Sequence, residues 1–251
     1  MTYPDVRYNP IWDDPRRNTP KCNDVIDKLV TREIKRLRLF RCDDTSFRHI
    51  TREVQSLAAS SSGQTLDGEH PTTKYVQTND PSWTMKPRSL HQYSLYNSRD
   101  DVLSNDEDHH WHKSEHNFNP FLPTLKSFFS RYFGRTELQN IRLQTNRGTV
   151  GIGEYRERII GIPKREHHFQ IRFHLPIANN PGVRFTMDTE SFQRMVGNVY
   201  LFNQACLHSV ENQGDRVRSH LIFDYYLDNH VIEKLIRPRV EGPCAQEVNG
   251  R

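Results

Sequence analysis

The feature that most limits the possible folds is a series of short alternating runs in the second half of the chain. IRLQTN, GTVGIG, ERIIGIP, FQIRFHLPI, VRFTMD, NVYLFN and VRSHLIFDYYL are separated by turn signals such as NNPG and ENQGD. β-branched and aromatic residues at a period of two, broken by Gly, Pro and Asn, predict antiparallel strands. Several such strands packed into about 100 residues predict a sandwich or jelly roll. Side chains two apart on a strand share a face. In FQIRFHLPI, Ile171, Phe173, Leu175 and Ile177 therefore make one apolar face, and Gln170, Arg172 and His174 make the other. In VRSHLIFDYY, Val217, Leu221, Phe223 and Tyr225 share a face with Ser219, while Arg218, His220, Ile222 and Asp224 lie opposite. Two strands thus each present an Arg-x-His pair from a face that a packed core would fill with hydrocarbon.

The first half reads differently. Residues 1–20 are rich in Pro, Asp and Arg and read as an extended arm. Asn23 or Asp24 makes an N-cap for VIDKLVTREIKRLRLF, where Val25, Ile26, Leu29, Val30, Ile34 and Leu37 recur at helical spacing. AASSSGQTLDG reads as a loop, and residues 75–119 are polar and turn-rich. FLPTLKSFFSRYFGR then predicts a second helix, with Phe121, Leu122, Leu125, Phe128, Phe129 and Phe133 on one side and Gly134 as its stop. The organisation expected is an N-terminal arm, helix and irregular segment over 1–119, packed on a β core with a C-terminal tail over 120–251.

Thirteen Phe, ten Tyr and three Trp in 251 residues supply the core material that disordered chains lack. A net charge of +4, with bases scattered among acids, gives no argument for nucleic acid. The basic run Thr31–Arg41 reads as the solvent face of an amphipathic helix. Cys22, Cys42, Cys206 and Cys244 stand far apart with no CxxC, which excludes a zinc knuckle and a disulfide framework and fits a reducing compartment. MTYPDVRYNPIWDDPRR has no apolar core of signal length, and no run approaches the roughly 20 apolar residues of a membrane span. A cytoplasmic protein without a membrane partner is expected.

If ENQGD were a hairpin turn centred on Gln213, His208 would fall opposite Arg218. A neutral imidazole is a good ligand for ferrous iron and a guanidinium grips a carboxylate with two hydrogen bonds. Such a pair could hold the metal end and the acid end of one small dicarboxylate. The plain alternative is an exposed Arg/His pair on the outside of a sandwich.

Arg172-x-His174, Gly197 before NVYLFN, His208, and Arg218 ten positions later resemble the aspartyl/asparaginyl β-hydroxylase family, which includes bacterial cis-proline hydroxylases. The similarity runs over roughly residues 120–228, with HLPIANNP and LHSVENQGDRVRSHLIFD as its longest phrases. The resemblance implies a mainly β protein with N-terminal helices, a double-stranded β-helix of the jelly-roll, cupin-like kind. It implies Fe(II) as cofactor, 2-oxoglutarate as co-substrate, and hydroxylation of an amino acid or an amino-acid side chain, free or in a peptide. By position, His208 would be the distal iron ligand, Arg218 would clamp the far carboxylate of 2-oxoglutarate, and Arg172 and His174 would line the same pocket.

The family's earlier His-x-Asp or His-x-Glu motif has no counterpart in the chain. In one register Glu154 takes the place of the His and Arg156 that of the acid. In the other, Lys164 replaces the His while Glu166 keeps the carboxylate, and His167 or His168 could donate the imidazole. His168 shares the face of Gln170, Arg172 and His174 and is the preferred candidate, so the metal candidates are His208, His168, Glu154 and Glu166. The competing class is a metal-free jelly roll that binds a small carboxylate or a protein partner without catalysis. DHHWHKSEH, Asp108–His116, is the densest histidine run, but without HExxH it reads as a solvated loop or as part of a substrate lid. No nucleophile elbow and no Gly-rich phosphate loop is present.

Overall fold

The structure is a computed structural model that describes residues 24–25, 27–29, 31–60, 64–65, 90–97, 122–133, 138–146, 150–155, 170–204, 206–226 and 229–240. Eleven strands among these residues build two antiparallel sheets, and the element order fixes which faces meet. In chain order they are β1 (Arg36–Arg41), β2 (Gln64–Thr65), β3 (Leu90–Asn97), β4 (Leu138–Asn146), β5 (Val150–Tyr155), β6 (Gln170–Ala178), β7 (Val183–Met187), β8 (Glu190–Phe192), β9 (Asn198–Phe202), β10 (His208–Asn212) and β11 (Arg218–Tyr226). The major sheet runs β1-β9-β6-β11-β4-β3-β2 and the minor sheet β5-β10-β7-β8. This is the mainly β jelly-roll arrangement expected from the alternating runs. ERIIGIP and the histidine run Asp108–His116 lie outside the described residues.

The apolar face of the major sheet packs on helices. Helix α1 (Asp44–Ser60) begins at Asp43, whose carboxylate accepts from Ser46 N at 2.8 Å. It buries Ile50 and Val54 and packs Phe47, Leu57 and Ala58 at the margin, an i, i+3, i+4 stripe. Helix α2 (Pro123–Tyr132) has no capping side chain of its own. Glu53 of α1 supplies one: its two carboxylate oxygens accept from Thr124 N at 2.8 Å and Leu125 N at 3.0 Å. Phe129 and Phe133 meet Phe223 edge-on at 4.8 and 5.0 Å, and Phe173 stacks on Phe223 at 5.3 Å. Tyr225 closes this cluster by donating its hydroxyl to the Phe133 carbonyl. The odd-numbered faces of β6 and β11 are therefore the hydrocarbon core, as their spacing predicts. At the C-terminal end, a helical segment over Asn229–Val231, Ile232–Ile236 and Arg237–Val240 adds Val231, Ile232 and Ile236 to the same core.

The helix expected from residue 25 to residue 40 stops early. Thr31 and Arg32 turn the chain, Arg32 takes a left-handed φ of 65°, and Arg36–Arg41 becomes the edge strand β1 paired with β9. Tertiary contacts override the helical spacing here. The Asn203 side chain donates to the carbonyls of Leu29 at 2.8 Å and Ile34 at 2.7 Å, ending the helix, and the alternation in RLRLFR buries Leu37 and Leu39. The basic run from Thr31 is thus a turn and a strand. The stretch before residue 119 also contributes β1, β2 and β3 to the major sheet and α1 to its core.

The expected hairpin between β10 and β11 does not form. β10 is flanked on both edges by β5 and β7, and β11 by β4 and β6, so neither has an edge left for the other. His208 pairs with Tyr155 and Met187, and Arg218 with Asn146. ENQGD instead carries the chain from one sheet to the other. Asn180 fastens that crossing, accepting from Gly182 N at 2.9 Å and donating to Asn212 Oδ1 at 3.1 Å and the Arg216 carbonyl at 2.9 Å. Gly182 is required there, since a Cβ would meet Gly214 N at 2.4 Å.

Among the described residues no helix is long and apolar enough to cross a membrane. Cys42 and Cys206 are buried free thiols, and burial pushes the Cys42 thiol up to about 11. Cys22 and Cys244 lie outside the described residues.

Candidate active site between the sheets

The even-numbered face of β6 and β11 looks away from the helices and toward the minor sheet. It carries His174, Arg218 and His220, and β9 adds Phe202, while the minor sheet answers with Phe185, Met187 and His208. His174 and His220 are 6.0 Å apart by ring centroids, and Phe185 sits 6.5 Å from the first and 5.3 Å from the second. Phe202 stands 4.9 Å from His174 and 4.7 Å from His208. His208 and Arg218 thus reach the same inter-sheet interior from opposite sheets, although they are not register partners.

His208 is buried, and its Nδ1 lies 2.8 Å from the Cys206 carbonyl. A carbonyl can only accept, so Nδ1 carries a proton, which in a neutral ring leaves the lone pair on Nε2, the form a metal ligand needs. Arg218 is 1% exposed, donates to Gln144 Oε1 at 3.3 Å and lies over the Phe185 ring at 5.0 Å. Arg172 shares the His174 face but is engaged: its Nε and Nη2 meet Asp224 at 2.8 and 3.3 Å, and Arg142 meets the same carboxylate at 3.1 Å. Glu154 lies on β5 beside Tyr155, the register partner of His208. Glu166 and His168 lie outside the described residues, and so do Arg156 and Lys164. Among the described residues no group of three His, Cys, Asp or Glu side chains is placed to hold a metal ion.

Sequence reasoning missed Arg194. It stands in the connection between β8 and β9, in the polar turn QRMVG where nothing periodic marks it. The chain nonetheless buries it to 2% exposure, with its guanidinium 4.0 Å over Phe185 and 4.7 Å over Phe202. None of its three side-chain nitrogens has a hydrogen-bond partner, and neither ring nitrogen of His174 or His220 has one.

The family model for aspartyl/asparaginyl β-hydroxylases matches residues 44–227. The chain belongs to this family. No curated protein matches it by sequence. Solved structures that superpose include a Pseudomonas putida prolyl-4-hydroxylase at 12% identity, covering 83% of this chain and 100% of that one with a TM-score of 0.47. A Trichoplax adhaerens prolyl hydroxylase, solved with a hypoxia-inducible-factor peptide fragment, shares 14% identity over 86% of this chain and 93% of that one at a TM-score of 0.46. The cupin domain of Schizosaccharomyces pombe Cnp3 shares 9% identity over 59% and 71%, at a TM-score of 0.33. In this family member the face that bears His174 and His220 is electrostatically unusual. Burial first, then the charges of Arg194, His220, Arg172 and Arg218, hold His174 well below the ordinary histidine range. Burial, Arg218 and Arg194 do the same to His220.

That depression predicts a pH dependence of stability. The unfolded chain protonates both rings below about pH 6.5, while the folded protein keeps them neutral. Their contribution is fully present above that value and is lost as pH falls toward the folded values. Two such groups give a slope that rises toward about 3 kcal/mol per pH unit as pH falls from 6.5 to 5. Urea denaturation from pH 7 to pH 5 should show this slope, and His174→Gln should about halve it. A flat profile over that range would contradict the buried neutral state.

Proposed function

We propose that the chain is a 2-oxoglutarate- and Fe(II)-dependent hydroxylase acting on an amino acid or an amino-acid side chain, as a small molecule or within a peptide. The observation that carries the reading is the inter-sheet interior walled by His208 and Arg218, in a chain of this family. His208, with its Nδ1 proton directed to the Cys206 carbonyl, would offer Nε2 to iron. Glu154, Glu166 and His168 remain the candidates for the other protein ligands. Arg218, oriented by Gln144, would take a carboxylate of 2-oxoglutarate, with His174 lining the same space and Arg172 supporting its wall through Asp224. When bound, iron with 2-oxoglutarate would supply O2 activation, in which one oxygen atom of O2 enters the substrate C–H as C–OH and the other ends in the succinate formed as 2-oxoglutarate loses CO2. Phe185 and Phe202 would exclude water from the reacting centre.

A second reading is a relative that binds a small carboxylate without metal or catalysis. It is favoured by the absence of a three-ligand group among the described residues, beside a strongly cationic interior. Anaerobic addition of Fe(II) and 2-oxoglutarate to the purified protein separates the two. The hydroxylase reading expects a weak visible charge-transfer band that His208→Ala removes. A folded wild-type protein that gives no band would leave the metal-free reading.

A further inference from the structure

Four arginines stand on or beside the inter-sheet face, Arg142, Arg172, Arg194 and Arg218, and Asp224 is the buried acid among the described residues. Asp224 is shared by Arg142 and Arg172. Among the described residues it serves the two guanidiniums at one end of the face, and Arg194 stands with Arg218 toward the other. Arg194 lies at that end, buried, stacked on two aromatic rings, with every nitrogen unpartnered. A buried guanidinium costs several kcal/mol to desolvate and retains its proton, so it is normally found with an anion. Burial and the nearby charge of Arg218 both press against its cationic form, and an acquired anion relieves both. The Phe185 ring lies 4.0 Å from the Arg194 guanidinium carbon and 5.0 Å from that of Arg218, so the two carbons are within about 9 Å of each other. One short aliphatic dicarboxylate can bridge that separation, one carboxylate to each fork.

We infer that Arg194 is an anion-binding residue which, with Arg218, forms a two-guanidinium cradle for a small dicarboxylate, and that the cradle holds its ligand without a metal. Only the choice of 2-oxoglutarate as ligand rests on the proposed function. The cradle itself rests on the burial and the empty hydrogen-bonding positions of Arg194. Arg172, the other arginine of this face, is spent on Asp224 and does not serve as the second fork. His174 and His220, each with both ring nitrogens unpartnered, offer one N–H donor apiece as neutral rings to oxygen atoms of the ligand.

The test is titration calorimetry on the EDTA-treated full chain with 2-oxoglutarate, succinate and acetate, for the wild type, Arg194→Met and Arg194→Lys. Methionine keeps much of the volume against Phe185 and Phe202, and lysine keeps the charge without the planar fork. The wild type is expected to bind both dicarboxylates, with acetate at least about tenfold weaker. Arg194→Met should weaken the dicarboxylates by about 10- to 100-fold, and Arg194→Lys by less. The ligand-free melting temperature of Arg194→Met should equal or exceed that of the wild type, because an uncompensated buried charge is gone. Equal affinities in wild type and variants would overturn the cradle, as would a metal-free wild type that binds neither dicarboxylate. The iron titration reports separately. Dicarboxylate binding without the charge-transfer band retains the cradle and removes the hydroxylase, whereas a band with unchanged affinity in Arg194→Met does the reverse.

Discussion

Replacing Asp224 with alanine is expected to destabilise the protein by about 3–5 kcal/mol, read as a fall in the urea midpoint at unchanged slope. Asp224 is fully buried in the centre of the major sheet, and it accepts from Arg172 at 2.8 Å and from Arg142 at 3.1 Å. Its register partner on β6 is Arg172, so the pair is built into the pairing of two central strands and does not depend on a flexible loop. The pair's own net worth is modest, because burying three charged groups costs nearly what their attraction returns. Removing the carboxylate they share is different: it takes away the common acceptor of two largely buried guanidiniums. Asp224→Asn keeps the volume and one acceptor oxygen but loses the charge and the second acceptor, so it should recover only part of the loss. A change below about 1 kcal/mol for alanine would mean that water or a neighbouring group already neutralises the arginines.

The same residue marks the limit of what alternation can reveal. A period of two is enough to place Arg172, His174, Arg218, His220 and Asp224 on the polar faces of their strands, and those faces meet the minor sheet. Alternation also separates the two roles of the major sheet, with Phe173 and Phe223 on the helix side. Partnership is not legible in this way. Whether Arg172 meets a ligand or Asp224 depends on β6 lying next to β11, and strand adjacency is set by packing over distances the local pattern does not encode. For the same reason ENQGD passes for a hairpin turn. Its composition suits a tight turn equally well whether the following strand returns to the same sheet or crosses to the other. The segment after Thr31 carries two periodicities at once, and the Asn203 amide, far along the chain, decides between them. Helix α1 has a readable signal in Asp43 followed by the Phe47, Ile50, Val54 stripe, so it was legible although the expected elements do not include it. Arg194 offers nothing comparable, because one arginine in a polar turn looks the same whether it points to water or into the fold.

Arg218→Ala is expected to reduce 2-oxoglutarate affinity by at least about 100-fold while leaving the fold and any bound iron in place. The direction follows from burial. At 1% exposure, a carboxylate on this guanidinium has no water to replace the lost hydrogen bonds, so truncation costs more than it would at a surface. Stability should move little. The substitution removes contacts that include the bond to Gln144 Oε1, worth about 1 kcal/mol, and the packing over Phe185, but it also removes a cation that works against Arg194 and His220. These contributions oppose each other in the ligand-free protein and reinforce each other in the ligand-bound one. That difference separates a clamp from a structural arginine. Asp224→Ala should lose stability with or without 2-oxoglutarate, whereas Arg218→Ala should melt near the wild type alone and fail to gain the wild type's ligand-induced rise in melting temperature. His208 sits on the opposite sheet, so iron content measured after desalting should be unchanged by Arg218→Ala. If Arg218→Ala keeps the ligand-induced rise, Arg218 is not the clamp, and the carboxylate is held elsewhere on the face.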